Sequence, residues 1–145
     1  MTIRVQREDF DPGLELSGLT LGRTDIGAVA SFLGLVRGAE GSAMTLEHYP
    51  GMTERKLADI EDEARRRWPI DAIIVIHRFG RLLPGENIVL VGVASGHRAA
   101  ALAACEFIID WLKTKAPFWK LEGDNWVDAK ETDDESSARW NLSPL

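Results

Sequence analysis

The chain has 145 residues, the size of one domain, with 17 basic and 23 acidic side chains and a formal net charge of −6. That balance excludes general nucleic-acid binding, which needs a basic excess. No apolar run approaches the roughly 20 residues that cross a bilayer, and the opening MTIRVQREDF lacks the apolar centre and cleavage site of a signal peptide, so no membrane role is expected. The expectation is one domain over 1–145, cytoplasmic, with the acidic stretch 132–145 as a flexible tail. The single cysteine, Cys105, excludes an intrachain disulfide and fits a reducing compartment.

Residues 2–6 alternate polar and apolar and predict a first strand. The following DPGLELSGLTLGRTDIG has loop composition with room for a short helical turn. GAVASFLGLVRG, 27–38, is a β-compatible run ending near Arg37, and MTLEHY, 44–49, is the next strand. With GAEGSA between them, the two predict a hairpin with a mobile tip. From Thr53 to Trp68 the spacing turns helical, with Leu57, Ile60 and Ala64 on one face, Thr53 as N-cap and Pro69 as the stop. DAIIVIHRFG and ENIVLVGVAS, joined through RLLPG, predict a central antiparallel pair. A second long helix runs from Gly96 to Lys115, with Ser95 as its cap and Leu102, Cys105, Ile109 and Leu112 on a shared face; Pro117 ends it. FWKLE and NWVDAK then close a hairpin around Gly123-Asp124. The fold class is α+β, two long helices on antiparallel sheets.

Two stretches carry candidate chemistry. In VASGHRAA a strand enters a helix through Ser-Gly, and the free N–H groups of the first turn, with His97 and Arg98, make an anion site; a capped helix with two solvated polar side chains is the simpler reading. In LKTKAPFWK three lysines surround a proline and two aromatics with no carboxylate among them. Lys113 and Lys115 would suit a helix C-terminus, or, with Lys120 and Arg37, an anionic ligand. The two helix ends lie more than ~20 Å apart at 1.5 Å per residue, so they serve separate sites, the chain folds back, or a second subunit contributes. His48, His77 and His97 lack metal-ligand spacing, and no cofactor or metal is expected. Cys105 reads as a small buried hydrophobe. Trp119, between Phe118 and Lys120, is a core residue or the face for a planar ligand.

Taken in order, GAVASFLGLVRG, LEHYPGMTERKL, EARRRWPIDAIIVIHRFGRLLPGE, VGVASGHRAAALAACEFIIDWLKTKAPFWK and GDNWVDAKE resemble the catalytic (large) subunit of molybdopterin synthase. The resemblance implies an α/β-hammerhead fold and a homodimer that binds two copies of a small ubiquitin-like sulfur carrier, a heterotetramer. It implies transfer of two sulfurs from the carrier's C-terminal thiocarboxylates to cyclic pyranopterin monophosphate, giving the dithiolene of molybdopterin. Catalytic roles fall on Lys113 and Lys120, and substrate binding on Arg37, His97, Arg98 and Lys130. Lys130 stands where the family usually has an arginine from the second subunit; it keeps the charge and loses the bidentate fork. The stretch between Lys120 and Trp126 is also shorter than in some relatives. Two rival functions also explain the basic residues: a non-catalytic module for a ubiquitin-like tail, which predicts no pterin binding, and an enzyme acting on another phosphorylated metabolite, which predicts turnover without a protein sulfur donor.

Overall fold

The computed structural model describes residues 3–122, 125–127 and 140. The central pair is as expected: β4 (Ala72–Arg78) and β6 (Asn87–Ser95) run antiparallel, Ala72 opposite Ala94 and His77 opposite Val89. Both strands read as unbroken apolar runs because both faces are covered. Ile73, Val75, Val89, Val91 and Val93 face one core, while Ile74, Ile76 and Leu90 face another. β1 (Ile3–Gln6) adds to β4 in parallel, and β2 (Ala28–Leu35) adds antiparallel to the other edge of β6, giving the order β1-β4-β6-β2.

The first core is closed by the two long helices, α2 (Met52–Arg67) and α3 (Arg98–Lys115). α2 buries Leu57, Ile60 and Ala64, as the spacing predicts, and stops before Pro69. Its N-cap is Gly51 rather than Thr53. The Gly51 N–H donates to Glu54 Oε1 at 3.0 Å, and fully buried Thr53 sits one residue inside the helix, donating its hydroxyl to the Tyr49 carbonyl at 2.8 Å. α3 begins at Arg98 with His97 at the N-cap, and Ser95 does not cap it; the Ser95 hydroxyl donates to the Pro69 carbonyl at 2.7 Å, tying the end of β6 to the end of α2. The buried stripe of α3 is Ala101, Ala104, Cys105, Ile108 and Leu112 with Phe107, whereas Leu102 is 61% exposed. Small alanines let the helix lie close on the sheet, so the stripe is narrower than one drawn through the bulkiest side chains.

The second core holds α1 (Pro12–Thr20), a nine-residue helix where the sequence predicted a loop with one helical turn. Asp11 caps it, accepting from the Leu14 N–H, and Leu16 and Leu19 pack on Ile74, Ile76 and Leu90. Gly92 permits this approach, since a Cβ there would meet Leu16 Cδ2 at 2.7 Å and Ile74 Cγ2 at 3.0 Å.

The predicted hairpin of 27–38 with 44–49 does not form. β2 pairs with β6, while β3 (Met44–His48) crosses to a second sheet ordered β5-β3-β7-β8, where it lies between β5 (Gly80–Leu82) and β7 (Phe118–Glu122), with β8 (Asn125–Val127) outside β7. β3 takes those partners because Met44 and Leu46 bury against Val36 and Leu82 in a third cluster. The β7–β8 hairpin forms as expected, Leu121 opposite Trp126. Trp140 lies within the stretch expected to be a tail and is docked: its Nε1 donates to Asp110 Oδ2 at 2.7 Å, its carbonyl accepts from Arg67 Nη1 at 2.8 Å, and its ring packs edge-on to Trp68 and Phe107. The rest of the tail, like Lys130, lies outside the described residues. No helix among the described residues is long and apolar enough to cross a membrane.

Candidate active site at the α3–β7 junction

The chain leaves α3 through Ala116, whose extended backbone (φ −78°, ψ 137°) ahead of Pro117 turns it directly into β7. Lys113 therefore sits, exposed, in the last helical turn, and Lys120 follows in the strand. On β7 the two-residue period puts Phe118 and Lys120 on one face and Trp119 on the other. Antiparallel pairing sets His48 opposite Phe118 and Leu46 opposite Lys120. Trp119 meets Tyr49 edge-on at 4.3 Å, so in this chain it packs on a tyrosine.

Phe118 rests on His77, the ring centroids 3.8 Å apart and only 18° from parallel. His77 lies near the end of β4, so this stack joins the two sheets. His48 adds a second aromatic contact, 4.4 Å from Phe79 and 6.0 Å from Phe118. The hydrogen bonds fix both imidazoles. His77 Nδ1 is 2.8 Å from the Arg78 carbonyl, which only accepts, so Nδ1 carries the proton. His48 Nδ1 is 3.0 Å from Thr53 Oγ1, whose single hydrogen goes to Tyr49, so His48 Nδ1 donates as well. His77 is 4% exposed, and burial pushes its pKa down to about 3, with the charges of Lys113 and His48 acting in the same direction and the Arg78 bond opposing them. It is a neutral ring throughout the physiological range.

Strand direction then sorts the remaining candidates. β4 and β2 both run antiparallel to β6, so His77 (opposite Val89) and the end of β2 at Leu35 (opposite Asn87) lie at the same end of the first sheet. Arg37, exposed two residues beyond β2, belongs to that end. α3 returns to it from Ser95, which delivers Lys113 there. His97 and Arg98, both exposed, occupy the opposite end, and 15 residues of helix separate Arg98 from Lys113 by about 22 Å. One chain thus gathers Arg37, Lys113 and Lys120 toward one end and presents His97 and Arg98 at the other. Lys115 is turned away from the lysine pair, its Nζ 4.8 Å from the Trp111 ring centroid in the groove between α2 and α3.

Other chemistry is thin. Among the described residues no cluster of three or more histidine, cysteine or acidic side chains is arranged to hold a metal ion. Cys105 is buried, and burial, helped by the Glu106 charge, pushes its thiol up to about 11, so it is not a nucleophile at neutral pH. The sequence does not single out His48, His77, Phe79 and Phe118, because histidine spacing speaks only to metal ligation and their contacts are tertiary. The available signal was a histidine near the end of each of two strands, HY and HRF, in a chain whose lysines flank a third aromatic.

Residues 5–115 match the family model described as MoaE protein. The chain is 57% identical to the molybdopterin synthase catalytic subunit of Ralstonia nicotianae, over 97% of this chain and 85% of that relative. The chain belongs to the MoaE family. Among solved structures, the molybdopterin biosynthesis MoaE protein of Burkholderia ambifaria superposes with a TM-score of 0.86 at 51% identity, covering 99% of this chain and 100% of that one. A complex of subunits 1 and 2 of molybdopterin-converting factor from Helicobacter pylori shares the fold, with a TM-score of 0.73 at 21% identity over 89% of this chain and 90% of that one. The architecture is thus the α+β fold with two long helices that the sequence pattern predicts, its sheets antiparallel apart from the β1–β4 pair.

Proposed function

We propose that this chain is the catalytic subunit of a cytoplasmic molybdopterin synthase, a single-domain sulfurtransferase that moves two sulfurs from the C-terminal thiocarboxylates of a small ubiquitin-like carrier to cyclic pyranopterin monophosphate. The observation that carries this reading is the lysine pair. In a chain of net charge −6, Lys113 and Lys120 flank Phe118 in the sequence, and Phe118 stacks on the buried His77 ring. A thiocarboxylate tail and a phosphorylated pterin are both anions, and positive charge placed against buried aromatic surface acts on them through less water than it would on an open face. Lys113 donates to the reacting thiocarboxylate and exchanges protons as sulfur is transferred, and Lys120 stabilises the charge of the intermediate. Arg37, His97, Arg98 and Lys130 hold the pterin and its phosphate.

The ~22 Å between Arg98 and Lys113 supports a homodimer as the working unit, with the SGHR end of one copy brought to the lysine end of the other. With one carrier on each copy the assembly is a heterotetramer. Single-turnover sulfur transfer tests the roles. Lys113→Ala lowers the rate about 10²–10⁴-fold, the usual cost of losing an acid–base group, and Arg98→Ala weakens precursor binding. Near-normal transfer by Lys113→Ala would remove that lysine from the chemistry, and unchanged precursor affinity in Arg98→Ala would remove the phosphate assignment.

A further inference from the structure

Among the described residues, His77 is a buried titratable side chain at this end of the fold that the proposed chemistry leaves unused. It is 4% exposed, stacked under Phe118 at 3.8 Å and pinned through Nδ1 to the Arg78 carbonyl. Phe118 is five residues after Lys113 and two before Lys120, on the same strand face as Lys120. Among the described residues, the charged or titratable groups that act on the ring are Lys113, from the end of α3, and His48, from β3; Phe118 of β7 supplies an uncharged face. Since Nδ1 holds the proton, Nε2 is an acceptor, and an ammonium is the natural partner for it.

We propose that His77 is a positioning residue for the lysine pair: its neutral imidazole fixes Phe118 between Lys113 and Lys120 and offers Nε2 to the Lys113 ammonium. A ring that must stay uncharged beside a lysine has to be buried and held in one tautomer, and His77 meets both conditions, its protonation suppressed to about pH 3. This rests on the lysine pair being the reactive centre, but its test does not need activity.

The first readout is the side-chain ¹⁵N spectrum of His77 in the full-length protein, free and bound to its carrier. Nε2 is expected as an unprotonated nitrogen whose resonance moves downfield in Lys113→Met, where its donor is gone; an unmoved resonance overturns the proposal. The second is the pH midpoint for acylation of Lys113, read by mass spectrometry. His77→Phe keeps a stacking ring without the acceptor and lowers that midpoint by about one pH unit, the size expected for a lost hydrogen bond to a charged group. The pH–rate profile of sulfur transfer moves with it, and His77→Gln, which can place an amide oxygen near the Nε2 position, restores part of both. A midpoint in folded His77→Phe equal to that of the unsubstituted protein reduces His77 to a packing role. If Lys113→Ala retained activity while both readouts behaved as stated, the functional reading would fall and the His77–Lys113 contact would stand.

Discussion

Acid should destabilise this protein through His77, and the size of that effect follows from its burial. His77 titrates near 6.5 when exposed, and in the fold its pKa is pushed down to about 3. Between those values the unfolded chain takes a proton that the folded chain refuses, so the His77 contribution to stability is complete above pH 6.5 and is lost as pH falls toward 3. At 1.36 kcal/mol per pH unit for one proton, moving from pH 6.5 to 4 removes roughly 3 kcal/mol, a large part of the 5–15 kcal/mol typical of a domain. Asp9 and Asp25 are held below the ordinary carboxylate range, Asp9 chiefly by the Phe10 N–H and Asp25 by the Arg23 guanidinium, so their stabilisation is lost only at still lower pH. Urea unfolding followed by tryptophan fluorescence from pH 7.5 to 4 measures the slope. His77→Phe starts lower at pH 7, by about 1–3 kcal/mol, because the Arg78 carbonyl loses its donor, but its slope is shallower by up to one proton. Equal slopes in the two proteins would show that His77 is not the neutral, buried group described.

Three further outcomes follow from the packing. A Cβ on Gly27 would fall on the Gly96 carbonyl oxygen, so Gly27→Ala should cost about 1–3 kcal/mol in urea unfolding and, by displacing the turn before His97 and Arg98, weaken precursor binding in a titration. Trp140→Ala removes a ring packed on Trp68 and Phe107 and the indole hydrogen bond to Asp110, and should lower stability by about 2 kcal/mol in the same assay. Cys105 should resist iodoacetamide at pH 8 in the folded protein and react at once in urea, because its thiol is raised to about 11 only while buried; between pH 9 and 11 the unfolded state alone loses that proton, so stability falls as pH rises there.

Local pattern carried most of the elements and little of their partnership. The apolar runs of β4 and β6, the α2 stripe and the stop at Pro69 are properties of adjacent residues, and all three were legible. The separation of β2 from β3 was not, because which sheet β3 joins depends on Met44 and Leu46 finding Leu82 and β7, partners far along the chain. α1 was hidden because its glycines and scattered leucines draw no amphipathic stripe, and Leu102 was misplaced because alanines form the contact face of α3. The site divides similarly. Lys113 and Lys120 stood out by charge, whereas His77 shows itself only when β4 and β7 meet and its ring lies under Phe118.

The lysine end of this fold is proposed to receive sulfur from a protein carrier and pass it to a pterin. Purified protein, a thiocarboxylated ubiquitin-like carrier and cyclic pyranopterin monophosphate, combined and read by mass spectrometry, test it directly. The pterin should gain two sulfurs only when all three are present, and the gain should be lost in Lys113→Ala. A stable complex with the carrier that transfers no sulfur would contradict it and make the chain a binding module for the carrier's tail.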